Sequence, residues 1–175
     1  GHEASAIDQA ALDFGFDKGP LALLDDWGLA GSLQLFEQLH AERDTPPIEP
    51  PALLRNWVEQ GRERIRPHQA GRWTLPGRKQ PRLPAEEGDR MLLALLNSAV
   101  RACRQGIVAD DEMLDAAMTL SGHFPAFRGG PLRYARSCGH AALIIRLQDL
   151  SQSQGPRFAP DPGWTPAEDS EAGQG

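Results

Sequence analysis

One stretch of this 175-residue chain occurs twice. Gly19-Pro20-Leu21, with Gly28 nine positions after Gly19, recurs as Gly130-Pro131-Leu132 with Gly139, at an offset of 111 residues. Downstream, Leu33, Phe36 and Leu39 fall in phase with Ile144, Leu147 and Leu150. Upstream, Ile7-Asp8 and Ala10-Ala11 resemble Leu114-Asp115 and Ala116-Ala117, once about four extra residues are allowed in the second copy. A repeat of this size is a supersecondary unit too small to bury its own apolar face. The pattern predicts a short helix, a Gly-Pro turn, a second short helix, a glycine stop and a longer packing helix, with the two copies packed on each other.

Apolar residues recur at helical spacing, and no segment alternates convincingly with period two, so the fold class is all-α. The clearest helix runs from Ala85 to Gln105. Leu92, Leu95, Leu96, Ala99 and Cys103 share one face, acids stand in its first turn, and Gly106 stops it. Further helices are predicted from Ser5 (as N-cap) to Phe14 with Ile7, Ala10, Ala11 and Phe14 inward, from Pro20 to about Gly28, over 31–41, from Pro51 to Gln60, and over 110–119, 131–137 and 140–154. Thr45 to Pro51 holds four prolines in seven residues and is no regular helix. The resulting organisation is a first helical copy over 1–61, a basic Pro/Gly-rich connector over 62–84, a second copy over 85–158 and an acidic, mostly disordered tail over 159–175 in which Trp164 is a candidate to dock. The long helix that precedes the second copy has no counterpart before the first, so the chain reads as cut from a longer protein.

Composition bounds the partners. Eighteen basic residues against 24 acidic ones give a net charge of −6, which disfavours nucleic acid or an anionic membrane as main partner. No apolar run approaches the roughly 20 residues of a membrane span, and no signal peptide is visible. Two cysteines suit a reducing compartment, and a cytoplasmic location is expected. The five histidines show no paired ligand spacing, so no metal site is expected.

Phe124-Pro125-Ala126-Phe127-Arg128-Gly129-Gly130-Pro131-Leu132-Arg133-Tyr134-Ala135 resembles the signature of the C-terminal domain of 3-hydroxyacyl-CoA dehydrogenases, in particular its second copy in multifunctional fatty-acid β-oxidation enzymes. Asn97-Ser98-Ala99-Val100-Arg101, Gln105-Gly106-Ile107 and Gly155-Pro156-Arg157-Phe158 fall in line with that copy. Ile7-Asp8, Phe14 to Pro20, Leu24-Asp25 and Gly28-Leu29 resemble the first, with Asp17-Lys18 where the family usually has Pro-Met. The resemblance implies two tandem helical domains packed as a pseudo-dimer, attached to an upstream Rossmann domain that binds NAD, with acyl-CoA at the domain interface and oligomerisation possible. It also implies that catalysis rests on a His–Glu pair in the Rossmann domain and an Asn at the start of the first helix of the α-domain. That helix would precede Gly1, and Asp89-Arg90 stand at the matching position of the second copy. No catalytic residue is therefore assigned to this chain, it binds no cofactor by itself, and alone it is expected to be inactive. It has no Gly-x-Gly-x-x-Gly turn.

Within that frame, Arg128, Gly129 and Gly130, and Lys18 and Gly19 of the first copy, are candidates to hold an anion such as a CoA phosphate at a helix start, or else form a tight turn. The basic connector over 62–84 is read either as steering CoA phosphates or as a solvated interdomain loop. Asn97, Phe124, Pro125, Phe127, Pro131 and Tyr134 are read as structural, Asn97 as an amide capping a neighbouring loop, and His123 as packed near the Phe-Pro turn. Cys103 reads as a small core residue. The rival to the dehydrogenase reading is a catalytically silent all-α assembly module.

Overall fold

A computed structural model describes residues 2–41, 50–66 and 83–164, and the described residues are helical without strands. Contacts divide the chain into two compact units, Gly1–Pro84 and Ala85–Gly175. No described helix is long and apolar enough to cross a membrane.

The first unit contains α1 (Ala4–Phe14), α2 (Pro20–Trp27), α3 (Leu29–Ala41) and α4 (Ala52–Glu59). Gly15, at φ +116°, ends α1 by returning its N–H to the carbonyls of Ala11 and Leu12, a left-handed stop that glycine adopts without steric cost. α2 begins with Pro20 at its first position, where the missing N–H would have had no helical partner anyway. Leu29, Leu54 and Ile65 form the buried centre, with Leu21, Leu24, Leu33, Phe36, Trp57 and Val58 packed around them. Ile65 lies on the segment read from sequence as the start of the connector. The Leu29 N–H donates to the Glu63 carbonyl, and the Arg62 guanidinium stacks over the Trp57 ring, so residues 62–66 are part of the first unit. The rest of the predicted connector, from 67 to 82, and most of the proline-rich loop, from 42 to 49, lie outside the described residues.

The second unit contains α5 (Ala85–Arg104), α6 (Asp111–Leu120), α7 (Pro131–Cys138) and α8 (His140–Gln154), with single 3-10 turns at Ala126–Arg128 and Pro156–Phe158. α7 packs against α5, α6 and α8. Asp110 caps α6 by accepting from the Met113 N–H at 2.7 Å, and Asp111 and Glu112 favour the positive end of its dipole.

Helix positions follow the periodicity closely, but two buried faces are rotated from expectation. On α1 the inward residues are Ala6, Asp8 and Ala11 rather than Ile7, Ala10 and Phe14. On α5 they are Leu93, Leu96, Asn97, Ala99 and Val100, while Leu92 and Leu95 are only half-buried. In both cases a polar side chain with fixed partners, Asp8 or Asn97, turns the helix. Ser5 is not the cap of α1, whose N-cap is Glu3. Leu33 and Phe36 face the core as predicted, and the Leu39 side chain lies outside the description.

Gly130 sits at φ +106°, and a Cβ there would overlap the Asp115 side chain, whereas a Cβ on Gly31 within α3 would meet nothing. Gly130→Ala is expected to destabilise the second unit by about 3 kcal/mol through backbone strain and overpacking. Gly31→Ala should be neutral or stabilising by up to about 1 kcal/mol, because alanine is the better helix former. Denaturant midpoints of the two variants against the parent check both.

Candidate functional site

The two Gly-Pro turns are built alike. Asp8, buried on α1, directs its carboxylate at the start of α2, where Oδ1 accepts from the Leu21 N–H at 2.8 Å and Oδ2 from the Ala22 N–H at 3.1 Å. Asp115, buried on α6, does the same at α7, accepting from the Leu132 N–H at 2.7 Å and the Arg133 N–H at 2.9 Å. The donors are the second and third N–H groups of each helix, the ones left free when proline stands at the first position. The preceding glycine, Gly19 or Gly130, has the aspartate side chain where a Cβ would be. A guanidinium completes each clasp. Arg66 reaches Asp8 Oδ2 at 2.9 Å and Asp25 Oδ2 at 3.1 Å, while Arg136 lies 3.7 Å from Asp115 Oδ2 and 2.8 Å from Asp111.

At both turns the donors considered for an external anion have a partner within the chain. The N–H groups that would hold an external phosphate already hold the chain's own carboxylate, a preference that follows from the partial positive charge at a helix start. Nor does Lys18 stand over the turn: it pairs with Asp26, and that hydrogen bond holds the Asp26 carboxyl below its ordinary range. Arg128 lies over the rings of Phe127 and Tyr134, at 5.0 and 5.3 Å from their centroids. Gly129, at φ +78°, closes the 3-10 turn that carries Arg128.

The residues read as structural divide. Phe124, Pro125 and Pro131 are buried, and the Phe124 and Tyr134 rings meet at 6.1 Å. Burial and a hydrogen bond with Cys138 push the Tyr134 hydroxyl above its usual pKa. Phe127, in contrast, is 76% exposed, because its 3-10 turn swings it away from the α7 face that Phe124 covers. His123 is also exposed, with its Nδ1 2.8 Å from the Ser121 hydroxyl. Burial and the neighbouring Asp111 push the Cys103 thiol up to about 11, which makes it a poor nucleophile at neutral pH.

Asn97 is 3% exposed and hydrogen-bonded at both ends of its amide. Its Nδ2 donates to the Ala159 carbonyl at 2.9 Å, and its Oδ1 accepts from the Asp161 N–H at 2.8 Å and the Trp164 indole N–H at 2.7 Å. Asp161, also buried, accepts from Arg104 Nε at 2.6 Å and Arg101 Nε at 3.2 Å, and from the Gly163 N–H at 2.8 Å. Residues 159–164, which composition assigns to a disordered tail, are thus strapped onto α5, with Trp164 buried and edge-on to His140. Residues 165–175 lie outside the described residues. Sequence reasoning missed Asp25, Arg66 and Asp161. The only signal for the strap was an Arg pair at i, i+3 on α5 facing a lone tryptophan in an acidic segment.

Among the described residues no group of three or more His, Cys, Asp or Glu side chains could hold a metal ion. A dinucleotide has no Gly-x-Gly-x-x-Gly turn to receive it anywhere in the sequence. What these residues do chemically is clamp helix to helix and strap a C-terminal segment to α5.

Burial alone would raise the Asp161 pKa, but hydrogen bonds from Arg104, the Gly163 N–H and Arg101 outweigh it and hold the carboxyl below its ordinary value. Stability from such a group is complete above the unfolded carboxylate pKa and is lost as pH falls through the lower folded value. Asp161→Asn should cost about 2 kcal/mol at neutral pH, with the deficit constant above about pH 5 and closing below about pH 4. Urea unfolding of parent and variant across that range gives the curve.

With this geometry in view, residues 1–69 are found to match the family model of the 3-hydroxyacyl-CoA dehydrogenase C-terminal domain. The span includes both partners of the Asp8 clasp and its Arg66 cation. The all-α architecture agrees with that family, whose members belong to NAD-dependent dehydrogenases.

Proposed function

We propose that this chain, which carries a 3-hydroxyacyl-CoA dehydrogenase C-terminal domain over residues 1–69, is the tandem helical C-terminal portion of an NAD-dependent enzyme oxidising 3-hydroxyacyl-CoA to 3-ketoacyl-CoA in cytoplasmic fatty-acid β-oxidation and lipid metabolism. NAD and the catalytic base belong to an upstream Rossmann domain. The helical portion closes the cleft over the acyl-CoA and forms the pseudo-dimeric interface. The observation that carries this reading beyond residues 1–69 is the repeated clasp: residues 85–164 set an aspartate of one helix on the start of a Gly-Pro helix, as the matched span does. On this reading the units are 1–61 and 85–158 joined by 62–84, with 62–66 packed on the first.

A second reading, an all-α assembly module without substrate contact, is favoured by one observation. The Gly19 and Gly130 turns, natural places for a CoA phosphate, are filled by Asp8 and Asp115.

NADH formation from a 3-hydroxyacyl-CoA separates the readings. The 175-residue chain alone is expected to be silent, and the chain extended through its Rossmann domain to turn over. Acyl-CoA binding that needs both pieces supports the cleft-closing role. Rossmann-domain binding with no effect on acyl-CoA affinity supports the assembly module, and turnover by the chain alone overturns both.

A further inference from the structure

Arg66 holds two buried carboxylates at once. Its Nη1 lies 2.9 Å from Asp8 Oδ2 on α1, and its Nε lies 3.1 Å from Asp25 Oδ2 on α2. The acids are 5% and 6% exposed, whereas the arginine side chain enters from the rim and stays 40% exposed. Asp25 bonds not to the clasp donors but to the segment that brings Arg66, its Oδ1 accepting from the Ile65 N–H at 2.5 Å. The contacts therefore close a ring. α1 holds the start of α2 through Asp8, α2 holds residues 62–66 through Asp25, and residues 62–66 return to α1 through Arg66. Three further contacts seat the segment: the Leu29 N–H on the Glu63 carbonyl, Ile65 in the core, and Arg62 over Trp57. The second unit closes its clasp without such a segment. Arg136 stands on α7, the helix that Asp115 already holds, and lies 3.7 Å from the Asp115 carboxylate.

We infer that residues 62–66 are a latch whose docking sets the α1–α2 clasp, with Arg66 as the positioning residue that makes undocking of the segment and loosening of the helix start one event. The segment forms no helix of its own, so its backbone is held by these few contacts and detaches as a unit. With the latch off, Asp8 and Asp25 are two nearly buried like charges that have lost their shared cation, a costly arrangement in a poorly solvated site. Asp8 relieves it by turning toward solvent, which releases the Leu21 and Ala22 N–H groups. From Arg66 the chain runs on in sequence to the second unit, so an event that draws it off the first unit there is felt by α1 and α2. The Asp115 clasp keeps its own cation and is not. The inference rests on the ring of contacts alone and is independent of the dehydrogenase reading.

Residue-resolved amide exchange of the full chain by NMR tests it. In the parent chain at low denaturant, the Leu21, Ala22, Leu29 and Ile65 amides are expected to share one opening, separate from that of Leu132 and Arg133. Arg66→Ala should speed exchange at those first four amides by about tenfold or more and leave Leu132 and Arg133 unchanged. Arg64→Ala removes the same charge from the same segment and should leave all of them unchanged. Asp25→Asn should speed Leu21 and Ala22 severalfold although Asp25 bonds to neither, and should add nothing in the Arg66→Ala background. Arg66→Lys should recover part of the lost protection. Unchanged Leu21 and Ala22 exchange in Arg66→Ala, or their acceleration while Ile65 stays protected, overturns the inference. So do additive effects of Asp25→Asn and Arg66→Ala. Parent-chain amides of the clasp and the latch that open separately overturn it without any variant.

Discussion

Both units hang on a buried carboxylate that holds the start of a neighbouring helix. A helix that begins with proline leaves its second and third N–H groups pointing outward with a partial positive charge, and each needs an acceptor. Here the acceptor comes from the preceding helix in sequence, Asp8 for α2 and Asp115 for α7. Each link is a pair of charge-assisted hydrogen bonds in a poorly solvated setting, where leaving the donors or the carboxylate unpaired costs more than the bonds contribute. The link also fixes an angle. Once the aspartate is seated, α1 cannot roll against α2, nor α6 against α7, and the apolar faces that the following helices cover are set.

The clasp explains which small residues are demanded and where. Glycine precedes the proline because the aspartate side chain occupies the space a Cβ would need, at Gly19 and at Gly130 alike. At Gly130 the backbone is also left-handed, so two separate constraints exclude any other residue. The two units then stabilise the clasp carboxylate differently. In the first, Arg66 arrives from beyond α4 and also ties down Asp25, whose carboxylate accepts from the Ile65 N–H; in the second, Arg136 comes from α7 itself. The position of Arg136 corresponds to Asp25, so a cation internal to α7 in one unit is replaced in the other by an anion that recruits a cation from outside. One charge exchange thus draws residues 62–66 into the first unit.

The helix limits were legible because glycine and proline punctuate this chain heavily, and the Gly-Pro-Leu repeat was legible because the clasp admits so few residues. The carboxylate at the other end of each clasp was also visible as half of an Ile-Asp/Leu-Asp pair, but without its role, since an aspartate amid apolar neighbours says nothing of which helix start it faces. Face assignment failed on α1 and α5 for the same reason: hydrophobic periodicity ranks Ile7 above Asp8 and Leu95 above Asn97, and a polar group with a complete set of partners overrides that ranking. At the two Gly-Pro turns the sequence shows the helix-start donors but not the residue 13 or 17 positions away that takes them.

The strap on α5 marks the limit of composition as a guide. Pro160, Asp161, Pro162 and Gly163 look like the opening of an unstructured acidic tail, yet Asp161 and Trp164 are among the buried residues of the second unit. Prolines on both sides of Asp161 restrict the backbone before any contact forms, which lowers the entropy lost on docking. Asn97 then presents an acceptor and a donor to that pre-shaped segment, and Arg101 and Arg104, on the same helix, neutralise the acid it carries. A charged segment is excluded from a fold only when its charge goes unanswered. Here the answering charges are one helical turn apart, so the acid that marks the segment as solvent-seeking is what binds it.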